Sequence, residues 1–191
     1  LEVQTPPSDD IEYRVTMIDA TEAGIGQLYM DKVRIPDYSG TELMLSDVAL
    51  GQPDAPIGWN RGDVTLALLP TGQFPARSFD VYYEIYNLPA GSPYNTEVTV
   101  ERLAGGSGRS AEDPEPVRLR MSGESAAGPD GTLPELRRVV TSLAKGRYRI
   151  TVRIEDVNTG RTASRSRDFE IRSSGRGATM VPGIPVQPRG G

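Results

Sequence analysis

The sequence predicts an all-β fold, namely an immunoglobulin- or fibronectin-like antiparallel β-sandwich with an extra N-terminal hairpin and an extended C-terminal arm. Several segments alternate apolar and polar residues with the period of two that a half-buried strand requires. The 191 residues include 21 glycines and 16 prolines, which is typical of many turns between short strands. No segment has a convincing helical period, so the prediction contains no helix.

The clearest predicted strand is 79–86. One set of side chains, Phe79, Val81, Tyr83 and Ile85, alternates with a second set, Asp80, Tyr82, Glu84 and Tyr86. We expect the second set to lie on a solvated sheet face, so that Asp80 and Glu84 are surface carboxylates rather than a catalytic pair. Tyr82 and Tyr86 share that face and have the rigid, amphipathic rings of a partner-binding surface, either exposed or under a loop.

Residues 147–156 form a second alternating segment, which the turn sequence 156–160 joins to a partner strand at 161–171. Weaker strands are predicted at 42–50, 64–69, 97–103, 117–121 and 136–143, giving about seven in the sandwich. Leu143, Gly146 and Tyr148 have the spacing of a tyrosine corner, in which the hydroxyl bonds to nearby backbone. The lone Trp59, in a sequence typical of a loop, is expected to cap one end of the core.

The organisation predicted is an N-terminal extension or hairpin at 1–36, a sandwich at 37–171 and an arm at 172–191. The segment from Tyr13 through Ile35 resembles the predicted hairpin from Tyr148 through Ile171 at an offset of 135 to 136 residues. It therefore predicts either the end of a truncated repeat or a chance likeness between short β-segments. Because an isolated hairpin is marginal in water, these residues are expected to need a covering surface.

The arm has no periodic apolar face, carries three arginines and lacks acidic residues. Prolines recur there every third residue, which places them along one edge of a polyproline II helix. The sequence predicts either an arm that lies in a groove of another subunit or one that folds back on its own sandwich. The candidate partner-binding residues of the arm are Met180, Val181, Pro182, Ile184, Pro185, Val186, Pro188 and Arg189.

The composition excludes several chemistries. The chain has neither His nor Cys, so Ser-His-Asp and Cys-His catalysis and zinc or haem sites built on those ligands are impossible. The acidic candidates for calcium, around Asp9, Glu112 and Asp130, lack the spacing of a dedicated loop. A net charge of −5 argues against nucleic acid as a partner, and no stretch is apolar enough to span a bilayer. We expect no catalytic residue, cofactor or metal.

Three segments, 43–50, 79–88 and 146–156, resemble the C-terminal β-sandwich region of bacterial envelope proteins of the GWxTD-domain type. Gly58, Trp59 and Asn60 are followed by Arg and Gly, so the signature that names the family is absent. The resemblance implies an extracytoplasmic location, in the periplasm or at the cell surface of a bacterium, and a binding or structural role.

The expected function is a non-catalytic structural subunit that docks on protein subunits of a larger envelope or membrane complex through loops and terminal arms. One alternative is an extracytoplasmic module that binds carbohydrate or peptide. Another is a fragment of a larger enzyme whose active site lies elsewhere.

Overall fold

The computed structural model describes residues 3–18, 20–21, 24, 26–52, 58–61, 64–68, 73–74, 78–103, 116–128, 131–140 and 143–171. Every regular element among them is a strand. The strands in chain order are β1 Ser8–Ile18, β2 Gly26–Ile35, β3 Met44–Leu45, β4 Ala49–Gln52, β5 Trp59–Arg61, β6 Val64–Leu68 and β7 Gln73–Phe74, followed by β8 Ser78–Tyr86, β9 Pro93–Arg102, β10 Val117–Glu124, β11 Thr132–Val140, β12 Gly146–Asp156 and β13 Thr162–Ile171. The predicted all-β class is confirmed.

The chain forms two compact units, which divide after Glu42. The first contains the predicted N-terminal hairpin, in which β1 and β2 pair antiparallel as a separate two-stranded sheet. The second contains the two sheets of the sandwich. The predicted arm, 172–191, with the candidate residues from Met180 to Arg189, lies outside the described residues.

The sandwich consists of a six-stranded and a five-stranded sheet. The first has the order β11-β8-β4-β6-β5, with β3 beside β4 on β8, and the second has the order β10-β9-β12-β13-β7. The described pairs are antiparallel except for β13 with β7. The chain passes between the sheets at β6 to β7, β7 to β8, β8 to β9, β10 to β11 and β11 to β12.

The core lies between the two sheets and is built from the inward-facing residues that alternation predicts. Phe79 of β8 and Phe169 of β13 have ring centroids 5.1 Å apart, and Tyr148 stacks on Phe169 at 5.6 Å. The Tyr148 hydroxyl donates to the carbonyl oxygen of Ala144 at 2.8 Å, which confirms the predicted tyrosine corner.

Some predicted strand limits were wrong. The segment predicted as one strand at 42–50 forms β3 and β4, because Ser46 interrupts the ladder: its Oγ accepts from the backbone N–H of Glu84 at 2.9 Å. Strand β11 begins at Thr132 rather than 136 and contains Pro134, which is tolerated because β11 is an edge strand. The short strands β5 and β7 were not predicted.

The prediction that Asp80 and Glu84 lie on a solvated face was also wrong, and Tyr82, predicted to be either exposed or under a loop, is covered by strands. Each side chain is nearly completely buried, although all three point away from the core between the sheets. Strands β5 and β6 extend the same sheet and cover this outer face. Trp59 therefore belongs to a strand and contacts Tyr82 edge-on, with ring centroids 5.4 Å apart, instead of capping the core in a loop.

Candidate functional site

The outer face of β8 carries a buried carboxylate cluster around Glu84. The Tyr82 hydroxyl donates to Oε1 of Glu84 at 2.6 Å, and the Tyr86 hydroxyl donates to Oε2. Nε of Arg61, from β5, donates to Oε1 at 2.8 Å. Because Glu84 and its tyrosines lie two residues apart along one strand, the period of two alone places all three on one face.

The covering layer reaches this face because Gly51 leaves room for it. The side chain of Leu66, from β6, is fully buried against Gly51, and a Cβ added at that glycine would lie 2.5 Å from Cδ1 of Leu66. The close approach brings β6, and with it Arg61 and Trp59 of β5, over Tyr82 and Glu84. The two tyrosines predicted to bind a partner are therefore brought together, but on an internal carboxylate.

The electrostatics of the cluster favour an ionised Glu84. Burial by itself raises the pKa of this carboxyl, but the hydrogen bonds from Arg61, Tyr82 and Tyr86 outweigh it, so that the pKa of Glu84 is lowered. Conversely, burial and the bond to Glu84 raise the pKa of Tyr82. A carboxylate whose two oxygens already accept three donors is a poor proton acceptor, so the arrangement acts as a clamp between β5 and β8.

A second ion pair fixes the same face at its other end. Nε and one terminal nitrogen of Arg138 donate to the two oxygens of Asp80 at 2.8 and 3.1 Å, a bidentate geometry. Arg138 lies directly opposite Asp80 in the β11–β8 ladder. The two carboxylates that the sequence suggested as a conceivable catalytic pair are thus each held by a separate arginine.

The inside of the sandwich has its own polar cluster at the edge formed by β9 and β11. The Tyr94 hydroxyl donates to Glu135, which also forms an ion pair with Arg137. Burial raises the pKa of the neighbouring Tyr83 to about 12, while the Thr96 hydroxyl and the Arg137 guanidinium act in the opposite direction. This phenol stays protonated at neutral pH.

A shallow groove of about 390 Å³ crosses the outer face of β9, β10 and β12. Its lining is polar and charged, and the charges neutralise one another: Nε of Arg120 lies 2.6 Å from Glu97. Arg153 and Glu155 contribute a longer pair at 3.9 Å. The groove has no aromatic side chain among its lining residues, so it does not have the stacking surface that sugar recognition commonly uses.

The N-terminal hairpin carries the largest group of exposed apolar side chains that the structure describes. Directly paired residues of an antiparallel ladder share a face, so the register places on one side of the hairpin the apolar residues Ile11, Tyr13, Val15, Met17, Tyr29 and Val33. We call this side the hairpin face. Ile11 is half-buried, and the other five side chains are exposed to between 37% and 53% of their surface.

The opposite side of the hairpin is different. Its charged residues are paired across or along the strands, with Lys32 3.0 Å from Asp10 and Arg14 2.6 Å from Glu12. Three exposed apolar side chains, Ile18, Leu28 and Met30, also lie on this side towards the turn. The charged residues therefore find partners within the hairpin, whereas no layer formed by the described residues covers most of the hairpin face, as a sheet face needs.

Alternation in 11–17 is the signal from which the hairpin face could have been found. The prediction of a marginal hairpin that needs a covering surface pointed to it without naming its side chains.

Among the described residues, no group of three or more acidic side chains could hold a metal ion. Asp9 and Asp10 instead pair with Arg34 and Lys32, and Glu112 and Asp130 lie outside the described residues.

No protein-family model matches the chain, and no curated protein is significantly similar to it. The likeness to the GWxTD-domain type, and the envelope location that it implies, therefore stay predictions. No helix in the described part of the chain is long and apolar enough to cross a membrane.

Proposed function

We propose that this chain is a non-catalytic scaffolding subunit that docks on protein subunits of a larger assembly through its hairpin face. The observation that carries the proposal is the row of exposed apolar side chains on a two-stranded sheet. Tyrosine, methionine and branched aliphatic residues with few charges are the composition of the centre of a protein interface. Covering each half-exposed side chain contributes roughly 1 kcal/mol of hydrophobic free energy, which offsets part of the entropy lost on association.

The rest of the molecule fits a scaffold. The hydrogen bonds to Glu84, Asp80 and Glu135 join strands to one another, and the donors around Glu84 and Asp80 are directed at these carboxylates rather than at a cleft. The extracytoplasmic, bacterial location is part of the same proposal and rests on the resemblance alone. Fractionation of source cells tests it, and recovery with cytoplasmic markers would contradict it.

A matched pair of substitutions tests the docking role. Val15→Asp places a charge at the centre of the hairpin face, and Thr16→Asp places the same charge on the opposite side one residue away. We expect the Val15→Asp protein to leave the native assembly when source membranes are solubilised and sized, while Thr16→Asp protein stays with it. Co-migration of the Val15→Asp protein with the assembly would show that the hairpin face is not the docking surface.

A further inference from the structure

The hairpin face is not uniformly apolar, because Gln27 and Asp31 also lie on it, and the charge of Asp31 narrows the choice of partner. Asp31 lies directly opposite Tyr13 and is exposed. Its carboxylate accepts a hydrogen bond from the adjacent backbone N–H of Lys32 at 2.8 Å, whereas Asp9, Asp10 and Glu12 pair with cationic side chains. A ligand for this face should therefore combine apolar contact with a positive charge.

The two tyrosines of the hairpin face have a spacing that matches a particular backbone. Tyr29 lies diagonally across the ladder from Tyr13, since it is two residues from Asp31, the direct partner of Tyr13. Diagonal neighbours are separated by roughly 7–8 Å in an antiparallel sheet. One turn of a polyproline II helix advances about 9 Å, so successive prolines at every third position can contact successive tyrosine rings. Exposed aromatic rings are the surface on which such helices dock.

A segment of this kind exists in the chain itself. Pro182, Pro185 and Pro188 recur every third residue within 180–189, with Ile184 and Val186 between them. The sequence 172–191 also contains three arginines and no acidic residue, which complements Asp31. The apolar content, the proline period and the positive charge of this segment thus match the apolar side chains, the tyrosine spacing and the Asp31 carboxylate of the hairpin face.

We propose that the hairpin face binds the proline-rich C-terminal segment of a second copy of this chain. The proposal rests on the proposed function, that this face is a docking surface, and names its occupant. Each copy offers one segment and one face, so two copies exchange segments reciprocally around a two-fold axis and make two equal contacts. A contact repeated twice raises the avidity of a weak single interaction.

Sedimentation equilibrium of the full-length chain tests this exchange. We expect a concentration-dependent monomer–dimer equilibrium. Tyr29→Ser should weaken the dimer by about tenfold, because it removes a stacking ring at each of two contacts. Met30→Ser is the matched control: it removes a similarly exposed apolar side chain from the same strand but on the opposite side, and we expect less than about a twofold effect.

The segment is tested in the same experiment. Replacement of Pro182, Pro185 and Pro188 by Ala should weaken the dimer as much as Tyr29→Ser does. Asp31→Asn should weaken it by about threefold and reduce its salt dependence, as expected for an exposed charge pair. A synthetic peptide of residues 179–191 in excess should convert dimer to monomer, while the same peptide with the three prolines changed to Ala should not.

A full-length chain that stays monomeric at all concentrations overturns the exchange, as does a dimer that is unchanged by the proline substitutions. Its failure is separable from that of the proposed function. If Val15→Asp protein leaves the native assembly but peptide 179–191 neither binds nor dissociates the chain, the hairpin face docks on another protein and only the identity of its occupant is wrong.

Discussion

Nε of Arg61 lies 2.8 Å from Oε1 of Glu84, and this contact joins two strands that the sheet itself does not place side by side. Strand β5 is the last strand of the sheet, and β6 and β4 lie between it and β8. The end of the sheet therefore folds over its own outer face, and the buried carboxylate is the polar anchor of that layer. A carboxylate taken out of water is stabilised in a protein only when it is paired in this way.

Glu84→Gln should therefore destabilise the second unit. The substitution keeps the shape of the side chain but leaves Arg61 without its counter-ion and weakens the bonds from Tyr82 and Tyr86. Since Arg61 is about half exposed, we expect a loss of about 2 kcal/mol in the free energy of unfolding, below the full cost of breaking a buried pair. Urea denaturation monitored by circular dichroism measures it.

Asp168→Asn provides the matched control. Asp168 also binds an arginine in a bidentate manner, with distances of 2.7 and 3.0 Å to Arg149, but both side chains are exposed. We expect a loss of less than about 1 kcal/mol because solvent screens this pair. Equal losses for Glu84→Gln and Asp168→Asn would contradict the assignment of Glu84 as the buried anchor.

The stability of the protein should fall in acid and change little near neutrality. The pKa of Glu84 is lowered in the folded protein from its ordinary value of 4.5, so the ionised form contributes stability above that pH and loses it as the pH falls through the lower folded value. The chain contains no His or Cys, so no side chain of ordinary pKa titrates between about pH 5.5 and 7.5.

Unfolding midpoints across the pH range measure this dependence. The difference between wild type and Glu84→Gln should be largest at neutral pH and should shrink below about pH 4.5, because protonated Glu84 resembles Gln. A difference that stays constant down to the acid transition would show that the charge of Glu84 does not contribute.

Sequence alternation predicted the sandwich well where one face of a strand meets the core and the other meets water. Strand β12 is such a case, with Tyr148, Ile150 and Val152 buried and Arg149 and Arg153 exposed. The tyrosine corner was predictable as well, since it depends on residues only four positions apart.

The same reasoning failed for β8 because period-two alternation says which residues share a face, but not what covers that face. Asp80, Tyr82 and Glu84 do point away from the core, yet a layer formed by β5 and β6 buries them. That layer depends on Gly51 and Leu66, which are 15 residues apart in the sequence and carry no local pattern. Burial of a polar residue such as Glu84 can be recognised only from its partner, here Arg61, and the tertiary structure is needed to find that partner.

The tyrosine corner yields a third prediction. Tyr148→Phe removes the hydroxyl that donates to Ala144 while keeping the ring stacked on Phe169. We expect a loss of about 1 kcal/mol in the free energy of unfolding, the usual net contribution of one hydrogen bond. Tyr13→Phe, at an exposed position of the hairpin, should change it by less than about 0.5 kcal/mol. A Tyr148→Phe protein as stable as wild type would show that the hydroxyl hydrogen bond does not stabilise the corner.

Gly51→Ala tests whether the layer over β8 depends on a residue without a side chain. The added Cβ would lie 2.5 Å from Cδ1 of Leu66 and 2.9 Å from the carbonyl oxygen of Ala67, closer than real contacts allow. Because the second neighbour is backbone, rotation of Leu66 cannot relieve the whole clash, and we expect a loss of about 1–3 kcal/mol from overpacking.

The change should be coupled to Glu84, because a displaced β6 carries β5 and Arg61 away from the carboxylate. In a double-mutant cycle, Gly51→Ala and Glu84→Gln should together cost less than the sum of the two single changes, since the first already weakens the clamp that the second removes. The cycle with Asp168→Asn in place of Glu84→Gln should be additive, because that pair lies on the other sheet. Additive losses in both cycles would show that the layer and the carboxylate stabilise the sandwich independently.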